Sequence, residues 1–375
     1  MSAGSDGLDF LVERADWQRH RLETTTRPDL GAGQVLFRVD RFAFTANNVT
    51  YAVVGDALGY WRFFPAPVGF GRIPVMGFGD VVASTHPDVA EGTRCFGFYP
   101  MSRYLRIEPG AVSPSQIVDG AAHREGLAPA YSQYSPVDHD ALYAPEHEDL
   151  LMLLRGLFLT SFLADDLFAD HEYYGAEAVL ISSASSKTAI ALGHRVAAAG
   201  GARAVGLTSA RNLGFVHGLG CYDAVYTYDD VASLDPSVPT VFVDMAGSGS
   251  VLGAVHRHFG ERLRHSCSIG ATHWDAERAG AELPGPRPEF FFAPAQIQKR
   301  VADWGPAGFQ ERLASAWSSF RSFAESWLRV RRGFGAEAVA RVYEDTLHGR
   351  TSPEDGNVLS MWEAAPGASE SGGTR

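Results

Sequence analysis

Cysteine is scarce in this chain of 375 residues: Cys95, Cys221 and Cys267 stand far apart, with no Cys-x-x-Cys pair. That excludes a four-cysteine structural zinc and a disulfide framework, fits a reducing cytoplasmic setting, and leaves the three as packing residues. Long apolar runs are missing too, since none approaches the roughly twenty residues needed to span a bilayer. The opening Met1–Asp9 carries neither a basic stretch nor an apolar one, so no secretory leader is expected. Positive charge is in deficit: 32 Lys+Arg stand against 44 Asp+Glu, a formal net charge of -12. Neither nucleic acid nor an anionic membrane surface is an expected partner.

What the chain does have is enough hydrophobic residues, 45%, for two ordinary globular cores. The first eight or so residues and the tail Pro366–Arg375 are rich in Gly and Ser and are expected to be disordered. From Gly33 to about Ile107 the pattern is strands and turns with little helical periodicity. Val75–Ser84 reads as a strand with close-packing glycines, and Glu108–His147 as a long irregular segment.

From Leu150 the period changes. A helix over Leu150–Asp170 is followed by alternating strands (Ala178–Ile181, Ala204–Leu207, Ala224–Tyr226, Val241–Val243, Ser266–Ile269) and helices (Thr188–Ala199, Asn212–Leu219, Val251–Phe259). Such alternation means βαβ units and a doubly wound parallel sheet. After a Pro-rich break at Leu283–Pro288 come a long helical stretch from about Phe309 to Val330, a helix over Ala336–Leu347 and a short strand Val358–Met361.

The chemistry concentrates where the first of those strands turns into its helix, Ile181-Ser182-Ser183-Ala184-Ser185-Ser186-Lys187-Thr188-Ala189. A nucleotide loop needs residues small enough for backbone N–H groups to approach a pyrophosphate, and Ser183, Ser186 and Ala189 keep that spacing with serine where glycine is usual. Lys187 at the helix start opposes the helix dipole unless an anion binds there. Any tight strand-to-helix turn favours small residues, so the loop does not decide alone. About twenty residues on, Thr208-Ser209-Ala210-Arg211-Asn212 holds no carboxylate; Ser209 and Arg211 suit a 2′-phosphate, which points to NADP(H) rather than NAD. Lys187, Ser186, Ser183 and Thr188 would take the pyrophosphate. Gly247 and Gly270, just past the fourth and fifth strands, are further cofactor candidates, and Asp244 reads as a helix cap or a direct ligand contact.

Other chemistries fail on spacing. The residue three before Lys187 is Ala184, so there is no Ser-x-x-Lys nucleophile, and Gly247-Ser248-Gly249-Ser250 is not a nucleophile elbow. His123, His139, His147 and His171 show no helical metal spacing, and His256 and His258 point apart on their helix, so no metal site is expected. Tyr131, Tyr134 and His139 are a candidate acid–base set on the irregular segment.

The order of a β-module, a Rossmann-like domain and a C-terminal return resembles the medium-chain dehydrogenase/reductase superfamily, in particular its zinc-independent quinone-oxidoreductase-like branch. Phe44-Thr45-Ala46-Asn47-Asn48-Val49-Thr50-Tyr51 resembles that branch's Leu-Asn-Tyr-x-Asp segment, and Pro74–Val82 its Gly-x-Glu-x-x-Gly-x-Val strand. Leu159–Leu163 sits at its Thr-Ala helix, and Gly356-Asn357-Val358-Leu359 resembles its closing strand. The likeness spans nearly the whole chain and includes a divergent, uncharacterised branch sharing the Ser-Ser-Lys-Thr loop. Both catalytic-zinc positions are empty: no cysteine stands near Asn47 and Asn48, and Met76-Gly77-Phe78 replaces Gly-His-Glu.

The resemblance implies an α/β protein with an N-terminal GroES-like, β-barrel-type domain (residues 1–148) and a Rossmann-like doubly wound domain (149–285). A helical return (286–375) would complete the first domain. It implies a homodimer and an NADP(H)-dependent oxidoreductase that reduces an unsaturated carbonyl or a quinone-like small molecule between the two domains. Without zinc, a developing enolate needs a hydrogen-bond donor, for which Tyr51 is the first candidate with Asn48 as its polar partner. Tyr51 reads equally as a half-buried strand residue, and Tyr60, Trp61, Phe63 and Phe64 as pocket lining or as core. A lyase or retro-aldolase on the same fold, or a non-catalytic nucleotide-binding scaffold, remains the alternative.

Overall fold

The computed structural model describes residues 6–269 and 283–364. The chain divides into two compact units, one formed by residues up to Leu153 with those from Leu328 onward, the other by Leu154–Trp327. Residues 286–327, read from sequence with the C-terminal return, thus fall in the second unit.

In the first unit, β1 (Gly7–Glu13), β2 (His20–Thr25) and β4 (Phe70–Gly71) make a three-stranded sheet in the order β2-β1-β4. A nine-stranded sheet holds β3 (Val35–Phe44), β5 (Pro74–Ser84), β6 (Arg94–Pro100), β7 (Tyr104–Ile107), β8 (Pro109–Ser113), β9 (Gln116–Asp119) and β10 (Gln133–Pro136). Its last two members are β17 (Arg329–Phe334) and β18 (Asp355–Ser360), joined through α7 (Ala336–Leu347). The glycines of β5 and β6 make room for aromatic rings: a Cβ on Gly79 would lie 2.8 Å from the Tyr99 ring, and one on Gly97 2.6 Å from Tyr134. Both tyrosines are fully buried.

Three expectations for this unit need correcting. Tyr51, read equally as a half-buried strand residue, lies with Asn48 on α1 (Ala46–Val53), whose eight residues are too few to show a helical period. The segment Glu108–His147 is not wholly irregular, since it supplies β8, β9 and β10. Inside it Arg124 and Asp119 form a buried ion pair of 2.7 Å, and the guanidinium also bonds the Tyr131 carbonyl and the Tyr134 hydroxyl. Finally, the helix expected to run to about Val330 ends at Ala324, and Arg329–Phe334 is strand. Arg329 and Arg331 pair with Glu354 and Asp355 of the neighbouring edge, and Arg332 with Asp149.

α2 (Glu148–Asp170) carries the chain across the division. Its first residue belongs to a hub in the first unit. Arg94 binds Asp80 at 2.8 Å, Asp40 at 2.7 Å and Glu148 at 2.7 Å. Glu148 also accepts from Arg41 and from the Tyr143 hydroxyl.

The second unit is the parallel sheet expected from the alternation. Its strands are β11 (Ala178–Ile181), β12 (Arg203–Thr208), β13 (Ala224–Thr227), β14 (Thr240–Asp244), β15 (Leu263–Ser268) and β16 (Glu289–Phe290). They run in the order β13-β12-β11-β14-β15-β16, every pair parallel. β11 and β14 are buried along their whole length, which is why both read as unbroken apolar runs. The crossovers include α3 (Lys187–Ala199), α4 (Leu213–Gly218) and α5 (Gly249–Phe259). α6 (Ala293–Ala324) begins well before the expected Phe309, because the left-handed Gly305 ahead of Pro306 breaks one stretch into two. It packs on α2 through Phe158, Trp317 and Phe320, the two phenylalanine rings stacked at 5.1 Å.

Candidate functional site

In a sheet of this order the strand sequence reverses between β11 and β14, and ligands bind in the crevice outside the carboxyl ends at such a point. The turn leaving β11 is built of serines but takes the shape glycines usually supply. Ser183 adopts φ +53°, in the left-handed region. The turn hangs from both neighbouring strands, with Ser182 N–H on the Val243 carbonyl at 3.0 Å and Ala184 N–H on the Leu207 carbonyl at 2.9 Å. Ser186 caps α3, its Oγ accepting from Ala189 N–H at 3.2 Å, and Ala189 is fully buried. Lys187 and Thr188 are therefore the first two residues of the helix, whose first-turn amides lack intrahelical acceptors.

The end of β12 is tied to this turn, because the Asn212 side-chain amide donates to Ser185 Oγ at 2.9 Å. Ser209 precedes the single 3-10 turn Ala210–Asn212, which contains Arg211. The Thr208 hydroxyl beside them is buried without a hydrogen-bond partner. On the other side, Gly247 at φ +63° donates its N–H to Asp244 Oδ1 at 3.1 Å. Ser183, Ser186, Lys187, Thr188, Ser209, Arg211 and Gly247 thus gather at the carboxyl ends of β11, β12 and β14. Gly270 lies outside the described residues.

Asp244 corrects one sequence reading. The cap of α5 is Ser248, whereas Asp244 closes the turn before that helix and bonds Ser182 Oγ at 2.8 Å. Burial pushes the Asp244 carboxyl above its ordinary value, and the bonds from Ser182, Gly247 and Ala246 pull it partly back. A residue that sequence reasoning missed is Tyr228, just past β13, whose hydroxyl accepts from Ser183 N–H at 3.1 Å. The Ser183 side chain bonds the same hydroxyl. Only its place after the third strand of the alternation marked it.

In the first unit, Asn48 is fully engaged. Its Oδ1 accepts from Thr45 N–H at 2.8 Å and from the Thr45 hydroxyl at 3.2 Å, while Nδ2 donates to the Pro74 carbonyl at 3.0 Å. It fixes the start of α1, and α1 carries Tyr51 one turn further on. The half-buried Tyr51 ring meets Tyr60 edge-on at 4.9 Å, and Phe63 and Phe98 at 6.2 and 6.1 Å. Tyr60 and Tyr131 bring their hydroxyls to 3.5 Å. Burial, then the neighbouring Tyr131 and Tyr60, raise the Tyr51 hydroxyl far above the ordinary tyrosine value. A side-chain hydrogen bond with Asn47 pulls it partly back.

The proposed set of Tyr131, Tyr134 and His139 is not brought to one surface: Tyr134 is fully buried against Arg124 and His139 is exposed. His256 and His258 do point apart, His256 to Ser266 and the Pro284 carbonyl, His258 to the Leu234 carbonyl. Among the described residues no group of three or more His, Cys, Asp or Glu side chains is placed to hold a metal ion. No described helix is long and apolar enough to cross a membrane.

The N-terminal β-sheet unit and the parallel-sheet unit make an α/β fold that solved structures share at low identity. CurA from Vibrio vulnificus in complex with NADPH matches with a TM-score of 0.59 and 12% identity, over 95% of this chain and 100% of that one. The quinone oxidoreductase from Coxiella burnetii matches at 0.56 and 14% over 94% and 99%, and CurK enoyl reductase at 0.55 and 15% over 94% and 99%. The chain belongs to the family described as "Protein of unknown function (DUF2855)", which matches residues 42–352. No curated protein sequence matches it.

Proposed function

We propose that the protein is an NADP(H)-dependent reductase of an unsaturated carbonyl or quinone-like small molecule, working without zinc. The observation that carries this reading is the left-handed serine turn at the head of α3, tied by Asn212 to the carboxylate-free end of β12. These residues suit the cofactor. A helix N-terminus with Lys187 and Thr188 in its first turn favours a pyrophosphate, and Ser209 with Arg211 favours a 2′-phosphate over a bare ribose. NADPH in the CurA complex and the reductase activities named for the related folds support the same choice.

When bound, the nicotinamide supplies a hydride. The chain's own part is to bind, orient and stabilise. Tyr51 donates a hydrogen bond to the substrate oxygen as negative charge develops on it, and Asn48 acts through the helix that sets Tyr51 in place. Phe63 and Phe98, both buried, pack edge-on against the Tyr51 ring and help hold it in place.

The test is NADPH consumption with a panel of enones and quinones, by the native protein and by Tyr51→Phe. We expect turnover of at least one class, with kcat reduced roughly 100-fold in the variant and NADPH affinity unchanged. Tight NADPH binding with no consumption across the panel would contradict the redox reading and favour the lyase alternative.

A further inference from the structure

Three of the four described non-glycine residues with positive φ follow one another just past the end of α2. They are Glu172 and Tyr173 at +49° and Tyr174 at +54°, with Gly175 at +69° behind them. Tyr173 and Tyr174 both have ψ +27°, so the segment is one turn of left-handed helix. In that conformation the Cβ of an L-residue crowds the next carbonyl, and such a turn persists only where its surroundings over-determine it. Two clasps hold this one. In the first, Tyr173 is buried, its hydroxyl donates to Asp165 at 3.0 Å, and its ring fills the space where a Cβ on Gly201 would stand. Asp165 is held in turn by Arg195 of α3 at 3.0 Å.

The second clasp is a stack of three rings. Tyr174 lies between His171, at 4.9 Å with 10° between the planes, and His265 of β15, at 4.2 Å and 9°. His171 is exposed, whereas His265 is buried and backed by Phe168 at 6.3 Å. Burial holds the His265 imidazole below its ordinary 6.5; the Glu289 carboxylate of β16 opposes this and His171 adds to it. The face of Tyr174 attracts a cation as well, but the net direction stays downward. The other groups facing the stack keep one charge state near neutral pH. Burial, first of several causes, pushes the Tyr174 hydroxyl and the Cys267 thiol each up to about 12, and Lys299 and Arg300 hold the Asp170 carboxyl low.

We propose that the Glu172–Gly175 turn is a pH-operated latch: the neutral His265 ring holds Tyr174 and keeps the turn left-handed, and a proton on His265 releases it. The turn joins α2 to β11, so release frees the end of the helix and the entry of the strand. The sign follows from the two environments of the imidazole. His265 is buried when the latch is closed and meets water when it is open, so the open form binds the proton more readily. The latch is therefore fully closed above the ordinary 6.5 and loosens as the pH falls below it. Between about pH 7.5 and about pH 5.5 the opening equilibrium rises about tenfold while the closed form stays unprotonated.

Hydrogen exchange of the full-length protein tests the latch, read by mass spectrometry at about pH 7.5 and about pH 5.5 and corrected for the intrinsic pH dependence of exchange. The reporting amides are Tyr174 N–H, bonded to the His171 carbonyl at 2.8 Å, and Ala176 N–H, bonded to the Tyr173 carbonyl at 2.9 Å. In the native protein their corrected exchange should quicken about tenfold at the lower pH, while the buried strand β14 stays unchanged. His265→Phe keeps a stacking ring that takes no proton and should abolish the response. His171→Gln alters only the exposed end of the stack, gives a second route should the buried variant fail to fold, and should keep the response. No acid response in the native protein would overturn the latch. The same tenfold change in a folded His265→Phe, or its loss in His171→Gln, would place the proton elsewhere and overturn the role given to His265.

Discussion

Replacing Ser183 by glycine should make the protein more stable, although it removes a side chain from the centre of the candidate site. Ser183 sits at φ +53°, a conformation that costs an L-residue roughly 1–2 kcal/mol and glycine almost nothing. Glycine gives part of this back, because it loses about 0.5–1 kcal/mol more chain entropy on folding. The difference is a gain of about 0.5–1 kcal/mol, or about 1–4 °C in Tm for a unit of this size. The bonds from Ser183 N–H to Tyr228 and from Ser186 N–H to the Ser183 carbonyl run through backbone and survive the change; only the side-chain bond of Ser183 to Tyr228 is lost. Ser183→Val should move the other way by about 1–2 kcal/mol, since a β-branched residue is a genuine outlier at positive φ. Thermal and urea unfolding followed by circular dichroism read both variants. A glycine variant less stable than native alongside a neutral valine variant would refute the left-handed turn, and with it the claim that serines here do the work of a glycine loop.

Two charged hubs give further tests. Arg124→Met leaves Asp119 buried and uncompensated and should cost about 3–5 kcal/mol, read as a lower urea midpoint with unchanged slope; the guanidinium and carboxylate are only 2% and 1% exposed. Arg94→Met should cost about 3 kcal/mol, the low end of that range because Arg94 remains 20% exposed. Burial alone would raise the Glu148 carboxyl, but the Arg94 guanidinium, the Tyr143 hydroxyl and Arg41 outweigh it and hold it below its ordinary 4.5. Its contribution is therefore complete above pH 4.5 and disappears as the pH falls through its lower folded value. Glu148→Gln should flatten that part of the acid unfolding curve. An unchanged curve would place the acid sensitivity elsewhere.

How much of this was legible in the sequence follows from what each element depends on. β11 and β14 are buried on both faces and α7 has one clean apolar stripe, so their signals are local and the sequence carried them. α1 was not legible, because its start is fixed by Asn48 bonding back to Thr45 and out to the Pro74 carbonyl, a tertiary contact. β17 hid its strand character behind arginines, whose charges are answered by Glu354, Asp355 and Asp149 from distant parts of the chain. In the candidate site, the serine turn and the β12 end were visible because small residues, a lysine and a missing carboxylate are composition-level signals. Tyr228 and the Ser182–Asp244 pair were not, since their roles arise only where three parallel strands end side by side. Asn48 was expected as a polar partner of Tyr51 at the substrate, whereas its hydrogen bonds go to Thr45 and the Pro74 carbonyl and serve the start of the helix.

The most direct test of the account is titration of the purified protein with NADPH and with NADH, following nicotinamide fluorescence, for the native chain, Lys187→Ala and Arg211→Ala. The account predicts that NADPH binds more tightly than NADH, that Lys187→Ala weakens both, and that Arg211→Ala weakens NADPH and abolishes most of the preference. Binding of neither dinucleotide by the native protein would contradict it.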